Sequence, residues 1–164
     1  MKIAVLTVSD TRTTADDTSG DYLVSALDAA NHQLHERTIV RDDRYLMRAR
    51  ISAWIADPAC QAILCTGGTG FTGRDSTPEA IEPLLDKTMP GFGELFRALS
   101  FADIGTSALQ SRAFAGLANG TIIVALPGST SACRLAWEQI LQHQFDSSTQ
   151  PCNLANLRGR FFER

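Results

Sequence analysis

Ten residues in the middle of the chain combine glycines, hydroxyls, a cation and an acid at close spacing. They follow a short apolar run, Ala62 to Cys65, which is typical of a buried strand. Glycine has no Cβ, so the backbone can approach an anion closely and turn its N–H groups toward it. The segment therefore predicts a loop that binds phosphate or carboxylate. It reads Thr66-Gly67-Gly68-Thr69-Gly70-Phe71-Thr72-Gly73-Arg74-Asp75.

Two familiar nucleotide-binding patterns match this loop only in part. Its last glycines have the G-x-G-x-x-G spacing, but the signals for the next helix begin only at Ser76 or Thr77, either of which could cap it. A dinucleotide fold opens its helix within the motif, so the sequence disfavours that site. A P-loop continues with Lys and then Ser or Thr. Here the residues are Arg74 and Asp75, which excludes a standard P-loop.

The acidic residues near the loop have two interpretations. An acid beside a phosphate site repels the ligand unless a cation intervenes, and Mg²⁺ held by Asp75 and phosphate oxygens meets that need. A carboxylate that flanks the N-terminus of a helix explains the same residue equally well. Asp42 and Asp43 end the second strand at the same edge, and metal binding and helix capping remain open for both.

Strand-like and helix-like segments alternate along the chain, from an apolar strand at residues 2–8 to a long helix after Ser129. Residues 92–101 predict a helix, whereas residues 106–119 show no clear periodicity. The alternation predicts an α/β fold of parallel strands with right-handed crossovers and helices on both faces. Ligands in such sheets bind at the carboxyl ends of the strands. Three loops are expected to meet there, namely Ser9-Asp10, Thr66 to Asp75, and Pro127 to Thr130.

Composition indicates one globular domain. The chain has 164 residues, 44% hydrophobic and 20% charged, with a net charge of −3. It lacks the clustered Lys and Arg of a nucleic-acid-binding protein. No apolar run approaches the roughly 20 residues that span a bilayer, and the first is too short for a signal peptide. We expect one domain over residues 1–164, with an irregular tail at 146–164, in the cytoplasm, without nucleic-acid or membrane partners.

Short motifs occur in a fixed order along the whole chain. They are Thr7-Val8-Ser9-Asp10, Asp17-Thr18-Ser19-Gly20, Thr66-Gly67-Gly68-Thr69-Gly70, Arg74-Asp75, Thr77-Pro78-Glu79-Ala80, Pro90-Gly91-Phe92, Ser111-Arg112 and Leu126-Pro127-Gly128-Ser129. In this order they resemble the MoaB/MogA-type family of molybdopterin-binding proteins. Residues 93–110 and 149–153 resemble its B-type branch. The resemblance implies a three-layer α/β/α sandwich with a mostly parallel central sheet, and a homo-oligomer, trimer or hexamer.

The resemblance also implies a function. In the adenylyltransferase branch, the terminal phosphate of molybdopterin attacks the α-phosphate of Mg-ATP, giving adenylylated molybdopterin and pyrophosphate. Asp42 and Asp75 would be the catalytic acids and would hold Mg²⁺ through the substrate phosphates. Molybdopterin, ATP and other proteins of cofactor biosynthesis are the implied partners. We expect the substrate pocket to include Ser9, Asp10, Thr66, Gly67, Gly68, Thr69, Gly70, Arg74, Ser111, Pro127, Gly128 and Ser129.

Three points leave the activity open. The adenylyltransferase branch has Pro-Asp at the end of the second strand, where this chain has Arg41-Asp42, and Asp43 is an alternative match for the acid. Some B-type members lack the catalytic acids, whereas this chain retains Arg74-Asp75. Arg112 could clamp a phosphate or lie on the surface. The hypotheses are therefore a molybdopterin adenylyltransferase and a non-catalytic protein that binds molybdopterin or a precursor. The partial matches to nucleotide-binding loops add a third, a nucleotide-binding fold with another substrate.

Overall fold

The structure is a computed structural model that describes residues 1–163. Arg164, the last residue of the predicted domain, lies outside the described residues. One mixed sheet contains β1 (Lys2–Val8), β2 (Gln33–Val40), β3 (Ala62–Thr66), β4 (Lys87–Thr88), β5 (Phe114–Ala118) and β6 (Thr121–Leu126), in the order β2-β1-β3-β6-β5-β4. The first four strands in that order are parallel, whereas β5 is antiparallel to β6 and to β4. The prediction of a mostly parallel sheet is confirmed.

Helices pack on both faces of this sheet. They are α1 (Thr18–Ala29), α2 (Arg44–Ala56), α3 (Thr77–Ile81), α4 (Pro90–Ile104), α5 (Thr130–Ala136), α6 (Gln142–Gln144) and α7 (Leu154–Leu157). Short 3-10 helices lie at Glu82–Leu84, Gly105–Gln110 and Arg158–Arg160, and a π-helical segment at Trp137–Leu141 joins α5 to α6. None of the helices within residues 1–163 combines the length and apolarity that crossing a membrane requires.

The strand β1 shows how the two faces are built. Successive side chains of a strand point to opposite faces. Ile3 and Val5 belong to the core that α1, α4 and α5 cover, while Ala4 and Leu6 belong to the core that α2 and α3 cover. All four are fully buried. Because both faces are covered, the strand is a continuous apolar run, and the predicted three-layer α/β/α sandwich is confirmed.

The carboxyl ends of β1, β3 and β6 lie side by side. Thr7 is paired with Thr66, and Thr66 is paired in turn with Leu126. From β1 the chain adds β2 on one side and β3 on the other, which makes this the switch point at which open α/β sheets bind ligands. The loops that follow the three strands therefore start from one edge of the sheet.

The structure extends the sequence-based assignment in the second half of the chain. Residues 106–119, which show no clear periodicity, hold most of the second 3-10 helix and β5. The helix predicted at 92–101 is longer in the structure, where α4 spans Pro90–Ile104. The predicted irregular tail contains α7 and a 3-10 turn. β5 is defined by antiparallel pairing with β6, an interaction between strands that local periodicity does not encode.

Candidate functional site

A cleft of about 650 Å³ opens at the carboxyl ends of β1, β3 and β6. The loops after these strands form one side, and α4 with the 3-10 helix after it forms the other. Most of the predicted pocket residues line this cleft, so the three predicted loops do converge. These residues are Ser9, Thr66, Gly67, Gly68, Thr69, Gly70, Asp75, Ser111, Pro127, Gly128 and Ser129.

Three other predicted site residues, Asp10, Asp42 and Arg74, line a neighbouring pocket instead. Asp10 accepts a hydrogen bond from the Arg74 guanidinium and another, at 3.2 Å, from the backbone N–H of Asp42. The bond from Arg74 holds the pKa of Asp10 below its ordinary value. The Arg74 side chain is 71% exposed. The structure therefore places this ion pair beside the main cleft and not among its lining residues.

Two positions in the loop require glycine. Gly67 has a φ of +104° and Gly68 a φ of +64°, a region that favours glycine. A Cβ on Gly67 would lie 2.2 Å from the backbone oxygen of Val8, and one on Gly68 would lie 2.4 Å from Oγ1 of Thr77. Any larger residue would therefore force the loop away from β1 or from α3.

Two carbonyl groups of the loop accept hydrogen bonds from Thr77, the first residue of α3. Thr77 donates from Oγ1 to the Gly67 carbonyl at 2.8 Å and from its backbone N–H to the Gly68 carbonyl at 2.9 Å. Thr66 donates from Oγ1 to the carbonyl of Pro127 at 2.9 Å, which ties the loop after β3 to the loop after β6. The glycine loop is thus fixed at its start by α3 and by the neighbouring loop.

The donors of the loop, by contrast, remain available. Among the described residues, the backbone N–H groups of Gly68 and Thr69 donate to no protein acceptor. The Thr69 hydroxyl is also buried without a partner, in a residue that is only 1% exposed. A buried polar group without a partner costs about 1–3 kcal/mol. An anionic ligand in the cleft would supply acceptors, which agrees with the sequence-based expectation of an anion-binding loop.

Asp75 lines the cleft and also organises the loop. Its Oδ2 accepts hydrogen bonds from the backbone N–H of Thr72 at 2.8 Å and from the Thr72 hydroxyl at 2.6 Å. Burial acts to raise the pKa of Asp75, but the hydrogen bonds from Thr72 and the Gly70 backbone outweigh it and hold the pKa below its ordinary value. The carboxylate is therefore ionised at neutral pH.

The structure separates the roles of the two adjacent acids. Asp43 caps α2, because its Oδ1 accepts two backbone N–H groups of the first turn at 2.9 Å each. Asp42 instead accepts the hydroxyl of Ser76 at 2.6 Å, and its other oxygen lies where a Cβ on Gly68 would contact it. Ser76 occupies the N-cap position of α3 but makes no capping hydrogen bond. Its hydroxyl orients Asp42 beside the glycine loop instead.

The residues present fit Mg²⁺ that arrives with a phosphate ligand. Within residues 1–163, no group of three or more His, Cys, Asp or Glu side chains is arranged to hold a metal. Mg²⁺ usually takes one or two carboxylates together with substrate phosphates and water. In the described part of the chain, Oδ2 of Asp42 and Oδ1 of Asp75 accept no side-chain hydrogen bond, although the backbone N–H of Gly70 also bonds the Asp75 carboxylate. Carboxylates of this kind can share a cation with phosphates.

Arg112 holds the glycine loop through hydrogen bonds to its backbone carbonyl groups. It donates from Nε to the Gly70 carbonyl at 2.8 Å, from Nη2 to the Asp75 carbonyl at 2.9 Å, and from Nη1 to the Glu79 carboxylate. Its backbone N–H donates to the Thr69 carbonyl at 3.0 Å. Sequence reasoning left this residue between a phosphate clamp and a surface role. In the structure its guanidinium instead binds the loop backbone.

The sequence analysis did not identify Arg12 as a residue of the site. Among residues 1–163, Arg12 is the one cationic side chain that lines the cleft. It lies in the loop after β1, and its backbone N–H donates to the hydroxyl of Ser9 at 3.0 Å. Its position two residues after Ser9-Asp10, in a loop predicted to reach the site, was the available signal. The cleft therefore combines one fixed cation with backbone donors.

Sheet, cleft and loop together define an α/β protein with a cleft, lined by a glycine-rich loop, at the carboxyl ends of its parallel strands. Residues 4–147 match the family model described as a probable molybdopterin binding domain. The chain belongs to this family, as the order of its motifs predicts.

Relatives and solved structures agree with this assignment. The chain is 55% identical over 152 residues to molybdenum cofactor biosynthesis protein B of Escherichia coli (strain K12), covering 93% of this chain and 89% of that protein. A crystal structure of a molybdenum cofactor biosynthesis protein B matches with a TM-score of 0.87 and 36% identity, over 97% of this chain and 94% of the other. A tungsten cofactor synthesizing protein MoaB from Pyrococcus furiosus matches with a TM-score of 0.74 and 35% identity, over 85% and 89%.

Proposed function

We propose that the protein acts in molybdenum cofactor biosynthesis by binding molybdopterin and adenylylating its terminal phosphate with Mg-ATP. Family membership and the similarity to cofactor biosynthesis proteins support the pathway and the pterin. The main support for the site is the buried hydroxyl of Thr69, which has no partner within residues 1–163 and lies in a glycine loop whose N–H groups at Gly68 and Thr69 have no acceptor there. A phosphate oxygen is the acceptor that completes these bonds.

The chemistry requires little covalent participation by the protein. An oxygen of the molybdopterin phosphate attacks the α-phosphorus of ATP, and the bond from that phosphorus to the bridging oxygen of the β-phosphate breaks, which releases pyrophosphate. Such transfers depend on in-line positioning and charge neutralisation. Among the described residues, the cleft is lined by no histidine or cysteine that could act as a nucleophile. Mg²⁺ held by Asp42, Asp75 and the phosphates would neutralise the developing charge.

The opposite wall of the cleft suits a pterin ring. It is lined by Phe96, Ser100, Asp103, Ile104 and Ser107, a mixture of apolar and polar groups. The carboxylate of Asp103 is an acceptor for the N–H edge of a pterin, which carries adjacent donors. We place the pterin against α4 and the phosphate in the glycine loop.

Two observations favour the second candidate, a non-catalytic protein that binds molybdopterin or a precursor. One oxygen of Asp75 already accepts two hydrogen bonds from Thr72. Asp42 lies in the neighbouring pocket and not in the main cleft. The two acids can therefore serve the loop alone, in which case the protein holds the pterin and passes it to another protein of the pathway.

A single experiment separates these candidates. Purified protein is incubated with molybdopterin and ATP, with Mg²⁺ or with EDTA, and adenylylated molybdopterin and pyrophosphate are measured together. The proposal requires equal amounts of the two products, formed only with Mg²⁺. Molybdopterin binding without either product would support the binding protein instead.

We further propose a homo-oligomer, either a trimer or a hexamer. Large apolar side chains are exposed on α4 and the 3-10 helix after it, with Phe101 60%, Ile104 53% and Leu109 86% exposed. Clustered exposed apolar residues of this kind commonly mark protein contacts. Light scattering should give three or six times the 17.8 kDa of the chain. The mass of a single chain would contradict this proposal.

A further inference from the structure

We infer that Arg12 is the side chain that binds a substrate phosphate in the cleft, and that Asp17 and Ser19 position it. This inference rests on the proposed function, and it names the residue that supplies positive charge to the phosphate site in the cleft. Among residues 1–163, no other Lys or Arg side chain lines the cleft. Arg74 lies in the neighbouring pocket with Asp10, and Arg112 is engaged with the loop backbone and Glu79.

A buried carboxylate holds one end of the Arg12 guanidinium. Nη1 of Arg12 donates to the hydroxyl of Ser19 and lies 3.5 Å from Oδ1 of Asp17. The Asp17 side chain is fully buried, whereas that of Arg12 is 30% exposed. The arginine is thus anchored at one nitrogen and open to the cleft elsewhere.

Asp17 is itself fixed from three sides. Its Oδ2 accepts the hydroxyl of Thr7 at 2.7 Å and Nη2 of Arg37 at 2.9 Å, and its Oδ1 accepts the backbone N–H of Gly20 at 3.0 Å. Burial acts to raise the pKa of Asp17, but these hydrogen bonds outweigh it and hold the pKa below its ordinary value. The carboxylate therefore remains charged and joins β1, β2 and the start of α1 beneath Arg12.

The free edge of Arg12 has the geometry that a phosphate prefers. Within the described residues, its Nε and Nη2 donate to no protein acceptor. Two parallel N–H groups of a guanidinium bind two phosphate oxygens at once, and such charge-assisted pairs are stronger than neutral hydrogen bonds. Anchoring Nη1 to Ser19 and Asp17 presets this edge, so less side-chain freedom is lost when a ligand binds.

The test measures binding of three probes by calorimetry. They are Mg-ATP, molybdopterin and 6-hydroxymethylpterin, which carries no phosphate. Arg12→Gln should weaken at least one phosphate-bearing probe by about 10- to 100-fold and leave the phosphate-free pterin unchanged. The probe that weakens identifies which substrate phosphate Arg12 binds. Arg12→Lys should recover part of the loss, because lysine restores the charge but not the two-point contact.

Variants outside the cleft provide controls. Arg50→Gln removes an exposed arginine that pairs with Glu36, and it should bind every probe as the wild type does. Ser19→Ala should weaken the same phosphate probe, but it should add no further loss in the Arg12→Gln background if Ser19 acts through Arg12. Thermal unfolding of each variant confirms that it is folded.

The failures of the two ideas can be told apart. If the wild type binds neither Mg-ATP nor molybdopterin, both the proposed function and the role of Arg12 are overturned. If the wild type binds them and Arg12→Gln binds them equally well, only the role of Arg12 is overturned. Equal weakening of the phosphate-free pterin also overturns it, because the change would then reflect general damage to the cleft.

Discussion

Arg112 donates from Nη2 to the backbone carbonyl of Asp75 at 2.9 Å, so the acid at the end of the glycine loop is held through its main chain by a residue from the segment before β5. The same guanidinium also reaches the carbonyl of Gly70 and the carboxylate of Glu79. The second half of the chain thereby fixes the shape of a loop that belongs to the first half. These bonds hold the loop without engaging the backbone N–H groups of Gly68 and Thr69.

Replacing Arg112 with Gln should loosen the loop. Losing these charge-assisted hydrogen bonds should cost about 2 kcal/mol, which corresponds to a fall in Tm of about 4–8 °C for a chain of this size. Binding of Mg-ATP should weaken as well, since the loop must then be ordered by the ligand. Scanning calorimetry and titration measure the two effects. Arg134→Gln, which removes an exposed pair with Glu138, should change Tm by little; a similar fall in both variants would contradict the role of Arg112.

Gly68 and Gly73 differ in the space around a Cβ atom added to each, and they therefore make a matched pair for substitution. Alanine at Gly68 would place a methyl group 2.4 Å from Oγ1 of Thr77 at a positive φ, and it should cost about 2 kcal/mol or more and reduce ligand affinity. Alanine at Gly73 meets nothing within 4 Å, and it should change stability by no more than about 0.5 kcal/mol. Chemical denaturation distinguishes them. Equal stability of the two variants would mean that the loop does not require glycine at residue 68.

The adjacent acids after β2 should separate function from stability. Asp43→Ala removes the cap of α2 and should cost about 1 kcal/mol of unfolding free energy, with turnover close to that of the wild type. Asp42→Asn should leave stability nearly unchanged and lower turnover by about 100-fold or more, because Asn still accepts from Ser76 but carries no charge. Paired unfolding and product-formation measurements test this. The reverse pattern would assign the catalytic role to Asp43.

Stability should fall at acid pH partly because of Asp17. Its folded-state pKa is depressed below the unfolded value of about 3.9, so its contribution is fully present above that pH and is lost as the pH falls through the lower folded value. Unfolding free energy, measured by denaturant titration at several pH values, should decrease below about pH 4. Asp17→Asn should flatten that decrease, while Asp28→Asn, an exposed acid on the same helix, should retain it. An unchanged slope in Asp17→Asn would contradict this account.

Much of the fold follows from local pattern. The apolar run of β1 and the alternation of strand-like and helix-like segments predict a parallel sheet covered on both faces, and the structure confirms that the sheet is mostly parallel and covered on both faces. β5 was not predicted, because it is defined by pairing with β6 and not by its own periodicity. Likewise, Ser76 has the side chain of a helix cap, yet its hydroxyl bonds Asp42, which is distant in sequence. Local propensity cannot reveal such a partner.

In the candidate site too, some features follow from local sequence and others depend on tertiary partners. The lining of the cleft by Ser9, the glycine loop and Pro127 to Ser129 could be predicted, since each follows a strand at one edge of the sheet. The sequence could not predict which arginine side chain points into the cleft. Arg74 lies within the glycine-rich segment but forms an exposed ion pair with Asp10. Arg12 belongs to none of the sequence motifs, yet it lines the cleft. Side-chain direction depends on the tertiary partners of each arginine, and spacing along the sequence does not contain them.

The central claim is that the glycine loop positions a molybdopterin phosphate for adenylylation and that the charge of Asp75 supports the transfer. The most direct measurement compares the formation of adenylylated molybdopterin by the wild type and by Asp75→Asn, alongside their affinities for molybdopterin. Asparagine retains an oxygen that can accept from Thr72, so a loss of activity with unchanged molybdopterin affinity reports the charge and not the shape of the loop. We predict Mg²⁺-dependent turnover by the wild type, a fall of about 100-fold or more in the variant, and affinities within about threefold of each other. Absence of product with the wild type, or equal turnover by the variant, would contradict the account.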